Sequence, residues 1–155
     1  MERKTKVHAE DGRQDLLITR EFELPVELLF KAHTEAGLIE QWMGNKVLKF
    51  ECQNHGGYLF ETRDPQGNVL FRANGVIHSF IPNKSITRTF EMENTSFPVQ
   101  LDFLEFDALG PDTSRLTMHT VYKTVTDRDN ILKLPFSYGI NMAHDRLQQI
   151  AEKLK

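Results

Sequence analysis

The 155-residue sequence lacks the features that mark several large classes of protein. It has one cysteine, Cys52, which excludes an internal disulfide framework and is typical of proteins from a reducing cytoplasm. No apolar run approaches the roughly 18–20 residues that span a bilayer, and the polar start has no apolar core of a secretory signal. The net charge of −3, with both signs interspersed, provides no basic surface for nucleic acid. We therefore expect a soluble cytoplasmic protein without membrane or nucleic-acid partners.

Tryptophan and tyrosine are also scarce, with one and three residues, whereas phenylalanine occurs eleven times. Wholly apolar rings in such number suit either a tightly packed core or an apolar cavity. The chain length corresponds to one ordinary domain, and no linker, repeat or low-complexity stretch divides it. We expect a flexible leader or an edge extension over residues 1–14 and a single domain over residues 15–155.

The clearest periodic pattern lies between Phe136 and Lys155, where apolar residues recur at steps of three and four. This spacing predicts one long amphipathic helix with the stripe Phe136, Ile140, Ala143, Leu147, Ile150 and Leu154. Residues 16–23 alternate as a strand, and two short helices are predicted before residue 45. Turn residues then divide residues 47–124 into about six antiparallel strands. The expected fold is α+β, with a curved antiparallel sheet of about six to seven strands wrapped around the C-terminal helix.

Four stretches of the sequence carry a resemblance to a known family. They are Ile18–Pro25, Phe30–Glu35 with Gln41–Gly44, Gly56–Phe60, and Ser137–Ile140 with Asp145–Leu147. As a set they resemble the bacterial branch of the START/SRPBCC (birch-pollen-allergen-like) superfamily that is named after activators of the 90-kDa heat-shock chaperone's ATPase. The resemblance covers about Leu16 to Leu154 and implies a START-like helix-grip fold. That superfamily includes ligand carriers, cyclases, hydrolases and chaperone partners on one scaffold.

Strand alternation indicates which side chains would face the C-terminal helix. In the segment Val99–Ala108 it turns Val99, Leu101 and Phe103 inward. Together with the resemblance, the pattern predicts a cavity between helix and sheet that binds a small hydrophobic or amphipathic molecule. The residues predicted to line it are Trp42, Phe60, Phe71, Arg88, Phe90, Met118, Phe136 and Ile140. The alternative is that the same apolar residues pack as an ordinary core.

Polar residues of inward parity could orient such a ligand. Arg88 shares the parity of Ile86 and Phe90, so its guanidinium is the candidate anchor for a ligand carboxylate. The alternatives are an ion pair with an internal acid or a β-bulge that turns Arg88 to solvent, and they apply equally to Arg20. His33 stands where the family commonly has tryptophan; it is either a structural histidine or a group at the pocket mouth. His144 is either a polar group in the cavity or exposed at the helix flank.

The sequence shows no arrangement of residues that performs catalysis. It has no nucleophile elbow, no inward pair of carboxylates and no zinc-type ligand spacing, so no catalytic residue, metal site or cofactor is predicted. Cys52 is expected to be an inert thiol. The prediction is a ligand-binding protein, monomeric or homodimeric, rather than an enzyme. The alternatives are a chaperone-associated protein-interaction module and, less favoured, a lyase, cyclase or hydrolase acting on a hydrophobic substrate.

Overall fold

The protein is described by a computed structural model over residues 3–155, and that range contains four helices and eight strands. In chain order the elements are β1 (Lys6–His8), β2 (Asp15–Phe22), α1 (Val26–Ala32), α2 (Ala36–Met43), β3 (Lys46–Phe50), β4 (Gly56–Arg63), β5 (Val69–Ile81), β6 (Ser85–Met92), β7 (Gln100–Gly110), β8 (Thr113–Val121), α3 (Val125–Leu132) and α4 (Phe136–Glu152). This order confirms the predicted α+β helix-grip arrangement. The number of strands is slightly higher than the six to seven predicted.

The eight strands form one antiparallel sheet in the order β1-β2-β8-β7-β6-β5-β4-β3. The additional strand is β1, whose Val7 lies opposite Ile18 of β2. Residues 6–8 thus form an edge extension, which is one of the two alternatives given for residues 1–14. Because β2 pairs with β8, the inward residues of β2, β8, β7 and β6 form continuous rows across the middle of the sheet.

The buried apolar residues form two separate clusters. The larger one joins α1, α2, the sheet and the second half of α4, and includes Phe22, Trp42, Phe60, Phe106 and Leu147. The smaller one consists of Leu16, Tyr122 and Ile131, with the partly buried Met92, Phe97 and Phe136 packed against it. The two halves of α4 therefore pack in different clusters, and the middle of the concave sheet face lies between them.

The second half of α4 is held by contacts between the stretches that carry the family resemblance. The Arg20 guanidinium, buried as its inward parity predicts, donates to Asp145 at 2.8 Å and to Asn141 at 3.1 Å. Arg146 donates through Nε to the backbone carbonyl of Trp42 at 2.9 Å, where α2 ends. Leu147 is fully buried. These motif residues dock the helix, and the internal-acid alternative describes Arg20 correctly.

The predicted inward face of the segment Val99–Ala108 is wrong. Asp102, Leu104 and Phe106 are buried at 2%, 1% and 3% exposure, whereas Val99 and Phe103 are exposed. The register explains the inversion, because Asp102 lies opposite Arg88 and Leu104 opposite Ile86, both of which face inward. Outward residues of β7 contribute instead to a shallow groove of about 460 Å³ on the convex face, lined by Leu17, Phe103, Glu105, Thr117 and His119.

Gly75 on β5 provides a test of how the inner face is packed. The Tyr58 ring crosses over Gly75, and its hydroxyl donates to the carbonyl of Thr89 on β6. A Cβ at position 75 would overlap both the tyrosine and that carbonyl, whereas a Cβ at Gly37 in α2 meets nothing within 4 Å. We expect Gly75→Ala to lower the free energy of unfolding by about 1–3 kcal/mol. Gly37→Ala should raise it by up to about 1 kcal/mol. Urea unfolding measures both, and equal midpoints for Gly75→Ala and the parent would contradict this packing.

Candidate functional site between the sheet and the C-terminal helix

Apolar side chains near the middle of the concave face are only partly buried. Phe90 on β6 and Met118 on β8 retain exposed surface, although Ile86 and Leu116, at inward positions on the same strands, are 3% and 1% exposed. Phe71 on β5 and Ile140 on α4 are also partly exposed. An inward face that a helix covers closely would be sealed, because protein interiors are close-packed. The partial exposure therefore indicates open space beneath the first half of α4.

The predicted lining residues lie in different parts of this region. Trp42 and Phe60 are buried in the larger cluster, at 7% and 2% exposure. Phe90 and Met118 pack against the edge of that cluster, and Phe136 packs against the smaller one. Phe71 and Ile140 are partly buried, and neither belongs to the two clusters of the described chain. The set thus includes residues at the back, the rim and the helix side of the region between the clusters.

A polar row crosses the concave face between the clusters. Arg88 of β6, Asp102 of β7 and Thr120 of β8 lie directly opposite one another across the sheet. Asp102 Oδ1 accepts from Gln100 Nε2 at 3.0 Å and from Thr120 Oγ1 at 2.9 Å. Arg88 Nε reaches Asp102 Oδ2 at 3.5 Å, the outer limit of a hydrogen bond. The Asp102 carboxylate is therefore largely satisfied by neutral donors.

The Arg88 guanidinium keeps unused donors. Within residues 3–155 its Nε–Asp102 contact is its one hydrogen bond, and neither Nη atom is among the sealed, unpaired polar atoms of that range. The Arg88 side chain is 19% exposed, compared with 2% for Asp102, and its Cζ lies 5.9 Å from the Tyr58 ring centroid. The ion-pair alternative thus describes Nε, while both Nη groups face open space.

Two buried histidines lie deeper in the larger cluster. His33, 5% exposed, is placed by the end of α1 so that Nδ1 lies 2.9 Å from the Leu29 carbonyl. His144 on α4, 3% exposed, has Nδ1 2.7 Å from Thr5 Oγ1. Burial lowers the pKa of His33 to about 4 and that of His144 to about 3, so both imidazoles are neutral at pH 7. Of the alternatives for His144, exposure at the helix flank is therefore wrong.

The other titratable groups of the interior are also neutral. Burial raises the pKa of Tyr58 to about 12, against the smaller opposing effect of the Arg88 charge. Burial, followed by the negative charge of Asp102, raises the pKa of Tyr122. Partial burial likewise raises the pKa of the Cys52 thiol. The charged groups on the concave face are thus Arg88 and Asp102 in the middle and Arg20 beside α4.

Two properties of the described chain bear on the kind of site. Across residues 3–155, no three His, Cys, Asp or Glu side chains converge in a way that could hold a metal ion. Over the same range, no helix combines the length and apolar character needed to cross a membrane.

Comparisons with solved structures place the fold among known proteins. A Rhodobacter sphaeroides protein superposes with a TM-score of 0.86 at 17% identity, covering 97% of this chain and 99% of that one. A Mycobacterium smegmatis protein gives 0.82 at 18% identity, covering 95% and 96%. A Nitrosomonas europaea protein gives 0.78 at 20% identity, covering 96% and 100%. At these identities the similarity shows the fold alone.

Sequence comparison assigns the family. No curated protein matches the chain significantly. The family described as "Activator of Hsp90 ATPase homolog 1-like protein" matches residues 23–152, which include both short helices, β3 to β8 and all of α4. The chain therefore belongs to the Activator of Hsp90 ATPase homolog 1-like family, a branch of the helix-grip superfamily.

Proposed function

We propose that the protein binds a small amphipathic molecule between α4 and the sheet, with the anionic head of the ligand on Arg88. The observation that carries the proposal is the pair of unused Nη groups beside a carboxylate that Gln100 and Thr120 already satisfy. A planar carboxylate matches the fork of a guanidinium and forms two parallel charge-assisted hydrogen bonds. The half-exposed rings and thioether around Arg88 supply the surface for an apolar body.

The predicted site residues have separate roles in this proposal. Phe71, Phe90, Met118 and Ile140 would contact the apolar body, because they are the partly exposed members of the set near the middle of the concave face. Trp42 and Phe60 would form the back wall, and Phe136 would lie near the start of α4, where the ligand enters. Asp102 would orient Arg88 without neutralising its free donors.

The test is a thermal-shift titration of the delipidated protein with dodecanoate and with dodecane-1-sulfonamide as an uncharged probe. At a hundred times the dissociation constant, dodecanoate should add about 2.7 kcal/mol of stability. For a domain of this size that corresponds to a rise in melting temperature of roughly 5–10 °C. Arg88→Gln should weaken dodecanoate binding at least tenfold, because the bidentate anchor is lost.

Arg115→Gln is the matched control, because Arg115 lies on the same sheet but is 42% exposed in its side chain and pairs with Glu21. It should bind dodecanoate like the parent protein. Equal losses in the two variants would show that the acid binds by surface charge and would contradict the site. A flat response to dodecanoate and to longer fatty acids would contradict the function itself and favour the protein-partner alternative that the family name suggests.

A further inference from the structure

Trp42 lies between two buried histidines. Its ring centroid is 5.2 Å from that of His33 and 6.3 Å from that of His144. Phe106 contacts the His33 ring at a centroid distance of 5.0–5.5 Å, measured at 5.2 Å, and Phe22 contacts the His144 ring at 5.6 Å, both edge-to-face. The indole N–H donates to the Ala32 carbonyl at 2.8 Å, so it is not available to either imidazole. Each histidine is thus enclosed by aromatic rings and has a defined partner at Nδ1.

The hydrogen bonds determine which ring nitrogen carries the proton. A carbonyl oxygen can only accept, so His33 Nδ1, at 2.9 Å from the Leu29 carbonyl, is protonated and Nε2 carries a lone pair. On the other side, Thr5 Oγ1 accepts from Arg20 Nη1 at 3.4 Å and lies 2.7 Å from His144 Nδ1. The threonine proton is then donated to His144 Nδ1, which leaves the proton of the neutral ring on Nε2.

Neither Nε2 has a partner among residues 3–155. The sealed and unpaired polar side-chain atoms of that range are Arg3 Nε and Arg20 Nε, so the two Nε2 atoms are unpaired without being sealed. Each therefore borders open space inside a residue that is at least 95% buried. The interior thus presents one acceptor, at His33, and one donor, at His144, in aromatic surroundings beside Trp42.

We propose that these two imidazoles recognise a hydroxyl group of the ligand, which donates to His33 Nε2 and accepts from His144 Nε2. The inference rests on the proposed function and narrows the ligand class to hydroxylated amphipathic carboxylates. A carboxylate has no proton to give to His33. An ammonium group is disfavoured because the positive charges of Arg88 and Arg20 act on these histidines, in addition to the larger effect of burial. A hydroxyl matches both nitrogens without a charge.

The experiment compares dodecanoate with 3-, 6- and 12-hydroxydodecanoate. Binding is followed by the fluorescence of Trp42, which is the one tryptophan of the sequence. At least one hydroxy acid should bind tenfold or more tightly than dodecanoate, equivalent to about 1.4 kcal/mol. His33→Phe should abolish that preference while keeping the binding of dodecanoate. His78→Phe, an exposed position on β5, should keep the preference.

The outcomes separate this inference from the proposed function. If dodecanoate and all three hydroxy acids bind the parent equally, the hydroxyl site is wrong and the Arg88 site stands. If none of the four binds, both are wrong. Nitrogen NMR of the histidine rings gives a test without a variant: His33 should be protonated at Nδ1, and its Nε2 resonance should move with the preferred hydroxy acid but not with dodecanoate. An Nε2 resonance that stays unchanged in both titrations overturns the inference.

Discussion

Lowering the pH from 7 to 5 is expected to reduce the free energy of unfolding by about 4 kcal/mol, mainly through His33 and His144. Burial in the larger cluster is the first cause of the low pKa of each imidazole, to about 4 for His33 and about 3 for His144. The Arg88 charge adds to the effect at His33, against its hydrogen bond to Leu29. At His144, the charges of His33 and Arg20 add to it.

The direction of the effect follows from proton binding. An imidazole in the unfolded chain has a pKa of about 6.5 and binds a proton as the pH falls below that value. The folded protein does not protonate these two rings until about pH 4 and pH 3. Because the unfolded state binds more protons in this interval, stability decreases as the pH falls from about 6.5 toward 4. At pH 5 each ring contributes a loss of about 2 kcal/mol.

Carboxylates act in a lower window and can be separated from the histidines. Hydrogen bonds from Arg13 and His119 lower the pKa of Asp15, and hydrogen bonds from Asn68 lower that of Asp64. Such groups favour the folded state above their unfolded pKa of about 4, and that contribution is lost only below it. Between pH 6.5 and 5, the two buried histidines therefore account for most of the change.

The measurement is a series of urea unfolding curves between pH 7.5 and 5. His33→Gln should remove about half of the pH dependence, because an amide does not titrate, even if it also lowers stability at pH 7.5. His78→Gln is the control, since His78 is exposed and its removal should leave the slope unchanged. A parent protein whose stability is constant from pH 6.5 to 5 would show that the imidazoles are hydrated and not buried.

The overall fold was predictable because its signals are periodic and local. The apolar stripe of α4 and the turn residues between strands determine the element order without any knowledge of long-range contacts. The stripe overestimated the helix at one end, since α4 ends at Glu152 and Leu154 lies beyond it, 46% exposed. The edge strand β1 has only three residues, which is too short for alternation to be recognised.

The polar row of the candidate site was not predictable in the same way. Leu101 and Phe103 on one face of β7 compete with Leu104 and Phe106 on the other, so hydrophobic alternation alone cannot choose between them. The structure selects the face that contains Asp102, because Arg88 lies opposite it on β6. A charged residue of inward parity on one strand thus indicates that an acid on the neighbouring strand also points inward. Pair information of this kind would have identified Asp102, whereas the role of Tyr58 depends on Gly75 of another strand.

Truncating Leu147 is expected to have the other large effect, because this side chain fixes α4 to the larger cluster. Leu147 is completely buried and packs with residues of α1, α2 and the sheet. Leu147→Ala removes the transfer free energy of the side chain and leaves a cavity, which together lower the free energy of unfolding by about 2–5 kcal/mol. The melting temperature should fall by roughly 5–15 °C in a domain of this size.

Leu154→Ala is the matched control, since it makes the same chemical change on the same predicted stripe at a residue that is 46% exposed. It should change the free energy of unfolding by no more than about 0.5 kcal/mol. Calorimetry of both variants at pH 7.5 measures the difference. Equal effects would mean that the second half of α4 is not docked as described. A large loss confined to Leu147→Ala would show that the helix is anchored at its second half, by the same cluster that encloses His33 and His144, while its first half remains free to border the ligand.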